Sequence, residues 1–403
     1  MIRKIKNIAH LINAFLANMY YHFPARDLII IGVTGTDGKT TTTHMIYNVL
    51  KLAGKKVSMI SSVYAIIAGA EFDTGFHVTT PDPWFLQKHI KKAVDAGEGY
   101  LVLEVTSHAL DQQRIWGIPF TIGVITNVTN EHLDYHLRYE EYVATKLQLI
   151  QHAKVGVVNA EDQSHQFIKR SKDQKIKKNT NTVSYGLKSG DITLKNFPLT
   201  LSIPGQYNKY NALAAAASTM QLGIEKKIIQ TALKRFTGVK GRMDEVKTDK
   251  SFRAIVDFAH TPNGLENALK TAKSMTKKRL IHVFGCAGLR DSTKRPIMGG
   301  ISARYADVTI ITEEDYRTEN LATINKMIAE GYKKEVKGKK QHFIISDRQE
   351  AINKAISLAK AGDLVILTGK GHEQSLCRRK TEHPWSEYEA VAQALKLKIQ
   401  NSK

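Results

Sequence analysis

Cysteine is nearly missing from this chain, with Cys286 and Cys377 the only two in 403 residues. Two thiols can build neither a disulfide framework nor a four-thiolate zinc site, so a reducing cytoplasm is expected and both read as incidental. Acidic residues are outnumbered, 38 against 59 basic ones, and the formal charge is +21. Such an excess attracts polyanions and admits nucleic acid, anionic membrane or phosphorylated substrates as partners. Much of it lies in helix-like runs at 168–178 (IKRSKDQKIKK) and 332–340 (YKKEVKGKK), which favours a solvated basic surface over a binding groove. Long apolar runs are also missing. The N-terminal MIRKIKNIAHLINAFLANMYYHF is interrupted by Asn13, Asn18 and His22, is too short to cross a bilayer and shows no small-residue cleavage site. It reads as an amphipathic helix packed on the body, with lying on a membrane surface as second choice. Prolines number only nine, and no repeat or low-complexity tract is present.

What is there fits a globular protein of two or three domains, 42% hydrophobic and long enough for more than one core. Ile- and Val-rich runs alternate with helical patterns: DLIIIGV at 27–33, KVSMI at 56–60, YLVLEV at 100–105, TIGVITN at 121–127 and VGVVN at 155–159. That alternation predicts a parallel α/β sheet covered on both faces. The rhythm is lost from about 165 to 204, which reads as charged helix, short strands and turns. Helical segments follow at 208–222 and 225–236, and a second α/β series runs through RAIVDF at 253–258, LIHVFG at 280–285, DVTIIT at 307–312, HFIIS at 342–346 and DLVILT at 363–368. A domain junction is therefore expected near 239–244.

The segment IIIGVTGTDGKTTTTHMIYNVL sets a hydrophobic strand, a glycine turn and a helix in sequence, the context a phosphate-binding loop requires. Backbone N–H groups at the helix start cradle phosphate, Lys39 supplies charge and the Thr40 hydroxyl suits Mg²⁺. The loop is a variant, because Val33 stands where the standard spacing has glycine and the glycines are Gly32, Gly35 and Gly38.

The variant GVTGTDGKTTT resembles the Mur ligases, and later segments resemble the MurE type in family order. They are HLDYH at 132–136 with Tyr142 and Lys146, GQYNKYNALAA at 205–215, KGRMDEV at 240–246, VDFAHTPNGLENAL at 256–269, FGCAGLRDSTKRPIMG at 284–299 and LTGKGHE at 367–373. The resemblance covers about 28–403. It implies a short N-terminal helical segment at 1–27, a central P-loop ATPase domain with a parallel sheet at 28–240 and a C-terminal Rossmann-like α/β domain at 241–403. The activity implied is ATP-dependent addition of the third amino acid to a muramoyl dipeptide. Such a ligase must first turn a carboxylate into an acyl phosphate, then let a neutral amine displace phosphate, so its task is to hold repelling anions together.

Glu104 ends a buried-looking strand and His132 follows the next, so both can face the phosphate loop. The resemblance implies that Gly35, Thr36, Gly38, Lys39, Thr40 and Thr41 hold ATP, that Thr40 and Glu104 bind one Mg²⁺ and that His132 and Lys146 bind a second, with Lys146 carbamylated. It also implies that Asn208 and Asn211 meet the base, that Arg242 reaches phosphate and that Asp257 holds the ribose. Read alone, the two asparagines could simply cap a helix, and His260 divides evenly between a capping and an active-site role. The dipeptide is expected at Thr79, Thr80, Thr106, Gln112 and Arg114, with Thr106 standing where the family usually has serine. The incoming diamino acid is expected at Arg290, Asp315, Arg317, Gly369 and Glu373, since an amine and a carboxylate together call for acceptors and a fixed guanidinium fork. The family's segment Asp-Asn-Pro-Arg is here Glu314-Asp315-Tyr316-Arg317. The retained Arg317 favours meso-diaminopimelate over lysine, while Asp315 adds a negative charge.

MurE proteins usually carry a further N-terminal domain of about a hundred residues for the UDP end, whereas only about 27 residues precede the first strand here. The UDP grip is thus expected to be reduced, supplied by another chain or absent. Folylpolyglutamate synthase, which begins almost at its phosphate loop, is the rival ligase; TTPD, HLDYH and GKGHE speak for MurE. A basic P-loop ATPase acting on nucleic acid is the remote rival, and no nucleic-acid motif supports it. UDP-muramoyl dipeptide and a diamino acid are the expected partners, with a monomer favoured.

Overall fold

The computed structural model describes residues 2–74, 80–129, 138–170, 181–248 and 251–400. The chain divides into two compact units, Met1–Thr237 and Gly238–Lys403. In the first, α1 (Ile2–Tyr20) precedes β1 (Ile29–Thr34), α2 (Lys39–Leu52), β2 (Val57–Ile60), β3 (Ala65–Ile67), β4 (Ala70–Phe72), α3 (Pro83–Asp95), β5 (Tyr100–Glu104), α4 (Ser107–Asp111), β6 (Phe120–Ile125), α5 (Tyr139–Gln151), β7 (Ala153–Asn159), α6 (Gln163–Arg170), β8 (Asn181–Tyr185), α7 (Gln206–Met220) and α8 (Lys226–Arg235).

These strands form one sheet in the order β4-β3-β2-β5-β1-β6-β7-β8. From β2 to β8 neighbours are parallel, which is what continuous apolar strands joined by helices produce. β3 and β4 add an antiparallel hairpin at one edge. Strands of three residues carry too few side chains to show a period, so this hairpin has no signature in the sequence. β1 is central, with Val33 level with Glu104 on one side and Thr34 level with Ile125 on the other. Its carboxyl end therefore has buried neighbours on both flanks, the place where such sheets receive ligands.

Three asparagines fix the face that α1 turns inward. Asn7 Nδ2 donates to Asp111 O at 2.9 Å, Asn18 Nδ2 to Trp116 O at 2.9 Å, and Asn13 Oδ1 accepts from Trp84 Nε1 at 2.7 Å. Ala14 and Ala17 are buried beside them, while Ile8, Ile12, Phe15, Leu16, Met19 and Tyr20 point outward.

The second unit contains β9 (Asp244–Val246), β10 (Arg253–Asp257), α9 (Pro262–Met275), β11 (Leu280–Phe284), α10 (Lys294–Tyr305), β12 (Val308–Ile311), α11 (Leu321–Glu335), β13 (Gln341–Ile344), α12 (Arg348–Leu358), β14 (Leu364–Thr368), the hairpin β15 (Ser375–Arg378) and β16 (Thr381–Pro384), and α13 (Glu387–Gln400). Its main sheet runs β13-β12-β11-β14-β10-β9, all parallel except β9. Alternate residues choose the faces. Ile281 and Val283 share a core with α12 and α13, while His282 Nδ1 lies 2.8 Å from Ser302 Oγ of α10. Both faces are thus covered, as the Ile- and Val-rich runs predict. Among the described residues no helix is long and apolar enough to cross a membrane.

Candidate functional site

The phosphate loop leaves β1 at Thr34 and enters α2 at Lys39. Gly38 is the N-cap, at φ +80°, and a Cβ there would stand 2.3 Å from Asn211 Oδ1. Only glycine suits both that backbone and that approach. The segment directly after β6 clamps the loop: Thr126 Oγ1 and Asn127 Nδ2 donate to Asp37 O at 2.6 and 3.0 Å, and Asp37 N donates to Asn127 Oδ1 at 3.0 Å. Thr36 Oγ1 accepts from Thr129 N at 3.0 Å and lies 3.2 Å from Tyr142 OH. Lys39 Nζ donates to Thr36 O at 2.7 Å, and Thr41 is buried in the first turn of α2.

At the same helix start, the Thr40 hydroxyl donates to Glu104 Oε1 at 3.1 Å and Ser62 N donates to Glu104 Oε2 at 2.9 Å. Glu104 is 1% exposed, so a carboxylate and a hydroxyl converge in a dry place beside the positive end of a helix. Those hard oxygen donors suit Mg²⁺, and the glycine cradle above them suits phosphate. Lys146, on α5, is 1% exposed and donates from Nζ to Gly35 O at 2.7 Å. Burial first and the Lys39 charge second hold its amine well below the ordinary lysine range, with Asp37 pulling weakly the other way. His132 and Thr79 lie outside the described residues.

A second set adjoins Glu104. Thr80 Oγ1 donates to Glu104 O at 3.1 Å and accepts from Thr106 N at 2.9 Å, and Arg114 Nη1 donates to Thr80 O at 2.7 Å. Thr106 caps α4 through Ala109 N at 3.1 Å, work a serine hydroxyl would also do. Gln112 closes that turn through its backbone, N to His108 O at 2.8 Å. Asn208 and Asn211 are not caps, since Gly205 is the N-cap of α7. Asn208 Nδ2 bonds Pro204 O at 2.6 Å, Asn211 Nδ2 bonds Asn208 Oδ1 at 3.1 Å, and Asn211 thereby stands against Gly38.

In the second unit the sequence-predicted residues gather at the carboxyl ends of β12, β11, β14 and β10. Asp257 ends β10 and accepts Met243 N at 2.6 Å and Ala259 N at 2.8 Å, and the Arg242 guanidinium lies 4.3 Å over the Phe258 ring. His260 is not the cap of α9, because Thr261 takes that place and accepts Gly264 N at 2.9 Å. Enclosure by neighbours, then the Lys294 charge, push its imidazole down to about 3. Arg290 is exposed in the loop after β11. Arg317, at φ +51°, donates Nη1 to Gly288 O at 3.0 Å and N to Cys377 O at 3.2 Å.

Lys370 has no exposed side-chain surface and pairs with Asp315 at 2.9 Å and Glu373 at 2.5 Å. Burial would lower its pKa, but Glu373 and Asp315 raise it above the ordinary lysine value. The extra negative charge at Asp315 is thus answered inside the protein by Lys370 and by Cys377 N at 2.9 Å. Glu314 lies beside it, pushed up to about 7 by burial and then by Asp315. Gly369, at φ +105°, leaves room for it, since a Cβ there would meet Glu314 Oε2 at 2.8 Å. Lys370, Thr126 and Asn127 were not singled out from sequence. The polar end of TIGVITN, directly after a buried strand, was the signal for the last two.

Residues 33–219 match the Mur ligase middle domain and residues 241–371 the Mur ligase glutamate ligase domain. A protein of Syntrophomonas wolfei named UDP-N-acetylmuramoyl-L-alanyl-D-glutamate–2,6-diaminopimelate ligase is 38% identical over 407 residues, 96% of this chain and 82% of that one. A solved structure of a ligase of that name is 28% identical, with a TM-score of 0.60 over 92% of this chain and 79% of that one. Folylpolyglutamate synthase of Mycobacterium tuberculosis, complexed with ADP and AMPPCP, gives a TM-score of 0.71 at 15% identity over 90% of this chain and 96% of that one, a likeness of fold alone.

Proposed function

The chain belongs to the Mur ligase family, and we propose that it is an ATP-dependent acid–amino-acid ligase of the MurE type that adds meso-diaminopimelate to UDP-N-acetylmuramoyl-L-alanyl-D-glutamate. The observation that carries this reading is the convergence of the Gly38 cradle, the Thr40–Glu104 oxygen pair and the Lys146 amine at one end of β1. The γ-phosphoryl group of ATP passes to a dipeptide carboxylate oxygen as ADP leaves. The neutral amine of the incoming amino acid then bonds the acyl carbon, phosphate departs and the nitrogen loses its proton. Mg²⁺, when bound, screens the phosphates from the carboxylate, and Thr40 and Glu104 are the residues to hold it.

Lys146 takes part as a carbamate in this reading. Only a neutral amine adds to CO₂, its nitrogen bonding the carbon and releasing a proton. The burial of Nζ and the neighbouring Lys39 charge both favour that neutral form. The carbamate and His132 would then serve a second Mg²⁺. Lys39 and the loop amides hold phosphate, Arg242 adds a cation to it, Asp257 takes the ribose, and Asn208 and Asn211 take the base. Thr79, Thr80, Thr106, Gln112 and Arg114 grip the dipeptide. Arg290, Arg317, Gly369 and Glu373 receive the diamino acid, with Asp315 supporting them through Lys370.

The test is a mass-spectrometric product assay with UDP-muramoyl dipeptide, ATP, Mg²⁺ and a panel of amino acids. Tripeptide containing diaminopimelate, formed with one ADP per bond, is expected. Product with lysine alone would overturn the amino-acid assignment. Glutamate added to folate, with no muramoyl product, would overturn the whole reading.

A further inference from the structure

The outer face of α1 is apolar from Ile8 to Tyr20. Ile8, Ile12, Phe15, Leu16, Met19 and Tyr20 follow helical spacing and are 41–67% exposed. A stripe of this kind normally faces the core, yet here Asn7, Asn13 and Asn18 are tied to the body, so the helix cannot roll to bury it without breaking those bonds. Its placement is reinforced at Gly117, φ +82°, where a Cβ would stand 2.7 Å from Asn18 Oδ1. The stripe runs about 18 Å from Ile8 to Tyr20.

Its surroundings say what covers it. Aromatic residues with polar tips stand at its C-terminal end, with Tyr20 packed on Tyr21 and Trp84 at centroid distances of 4.9 and 5.7 Å, and Phe15 lies 5.5 Å from Trp116. The first 26 residues contain Arg3, Lys4, Lys6 and Arg26 and no acidic residue, within a chain of net charge +21. Apolar side chains along one helix face, amphipathic aromatics at its end and a segment whose own charges are all basic are what a helix needs to lie in the interface of an anionic bilayer; the Asp111 carboxylate accepts from Asn7 on the face turned to the body. A second copy suits the face poorly, because pairing through it would press two such basic segments together.

We propose that α1 is an interfacial anchor that docks this protein on anionic lipid surfaces, its apolar stripe entering the acyl boundary and its basic residues meeting the headgroups. The helix lies along the surface and does not span it. The experiment is co-sedimentation of the full chain with phosphatidylglycerol–phosphatidylcholine vesicles and with pure phosphatidylcholine vesicles, at low and high salt. It is repeated with Ile12→Glu/Leu16→Glu, whose exposed positions leave the fold unchanged, as a thermal melt checks. Wild type should partition onto the anionic vesicles, less so in salt, and the double variant should lose at least about tenfold in partitioning while ligating in solution at the wild-type rate. Absence of binding to anionic vesicles overturns the anchor. Equal binding by both proteins also overturns it, leaving scattered surface charge as the cause. A concentration-dependent dimer that the double variant dissolves, with no vesicle binding, makes a second copy the occupant instead.

Discussion

The carboxyl ends of the two sheets treat charge in opposite ways. In Met1–Thr237 the phosphate loop is framed by backbone carbonyls, hydroxyls and amides, and its most buried cation, Lys146, is held toward the neutral form. In Gly238–Lys403 the corresponding loops carry ion pairs already made: Lys370 with Asp315 and Glu373, Arg378 with Glu313 and Asp347, and Arg348 with Glu387. A site whose ligand brings its own large charge is best left as a set of dipoles that need not be stripped of partners. On the proposed reading the second unit must tell one small zwitterion from another, which calls for charges fixed in direction before the ligand arrives.

The sharpest break in that contrast is Lys146→Ala. With the fold intact by circular dichroism, ligation should fall at least about a hundredfold in a steady-state ADP-release assay. Undiminished turnover would remove the carbamate and make Lys146 a packing residue. The next largest effect concerns stability. Arg348 Nε and Nη2 donate to the two Glu387 oxygens at 2.6 and 3.1 Å with neither side chain exposed. Glu387→Ala leaves the buried guanidinium, among the described residues, with only the Glu313 and Thr368 carbonyls as acceptors and should cost about 3–5 kcal/mol in urea unfolding. A loss below about 1 kcal/mol would mean that the second unit does not depend on its prepaired charges.

Arg317→Ala comes third, raising the KM for diaminopimelate by about tenfold or more while leaving that for ATP within about twofold. Equal rises would detach Arg317 from the amino acid. The smallest effect is a pH slope. Glu314, ordinarily 4.5, is pushed up to about 7 in the folded chain, so the native state binds its proton more tightly than the unfolded one. Its contribution to stability is complete below 4.5 and declines as pH rises through 7. Glu314→Gln, which mimics the neutral carboxyl, should flatten that part of the profile in melts from pH 4 to 8. An unchanged slope would place the titration elsewhere.

Most parallel strands were legible because they are Ile- and Val-rich runs bounded by turn residues, whereas the parallel edge strand β8 (NTVSY) carries no such run; the phosphate loop was legible because its glycines stand between such a run and a helix. The hairpins β3–β4 and β15–β16 were not, since three or four residues establish no alternation. Spacing also could not give direction. The stripe on α1 is visible as a pattern, but only the hydrogen bonds of Asn7 and Asn18 to residues about a hundred positions away decide that it looks outward. The pairing of Asp315 with Lys370, 55 residues apart, escaped for the same reason. Read locally, Asp315 was an added charge beside the substrate; folding brings its counter-ion to it. Asn208 and Asn211 looked like caps because the helix start could be set only within a few residues, and Gly205 takes that position.

The grip of Thr126 and Asn127 on the Asp37 carbonyl has a consequence for how nucleotide arrives. With that peptide fastened from the segment after β6, the turn from Gly35 to Gly38 has little conformational freedom left to surrender on complexation. Its amide protons should exchange slowly with deuterium even in the empty protein, and encounter with ATP should proceed as docking into a finished mould.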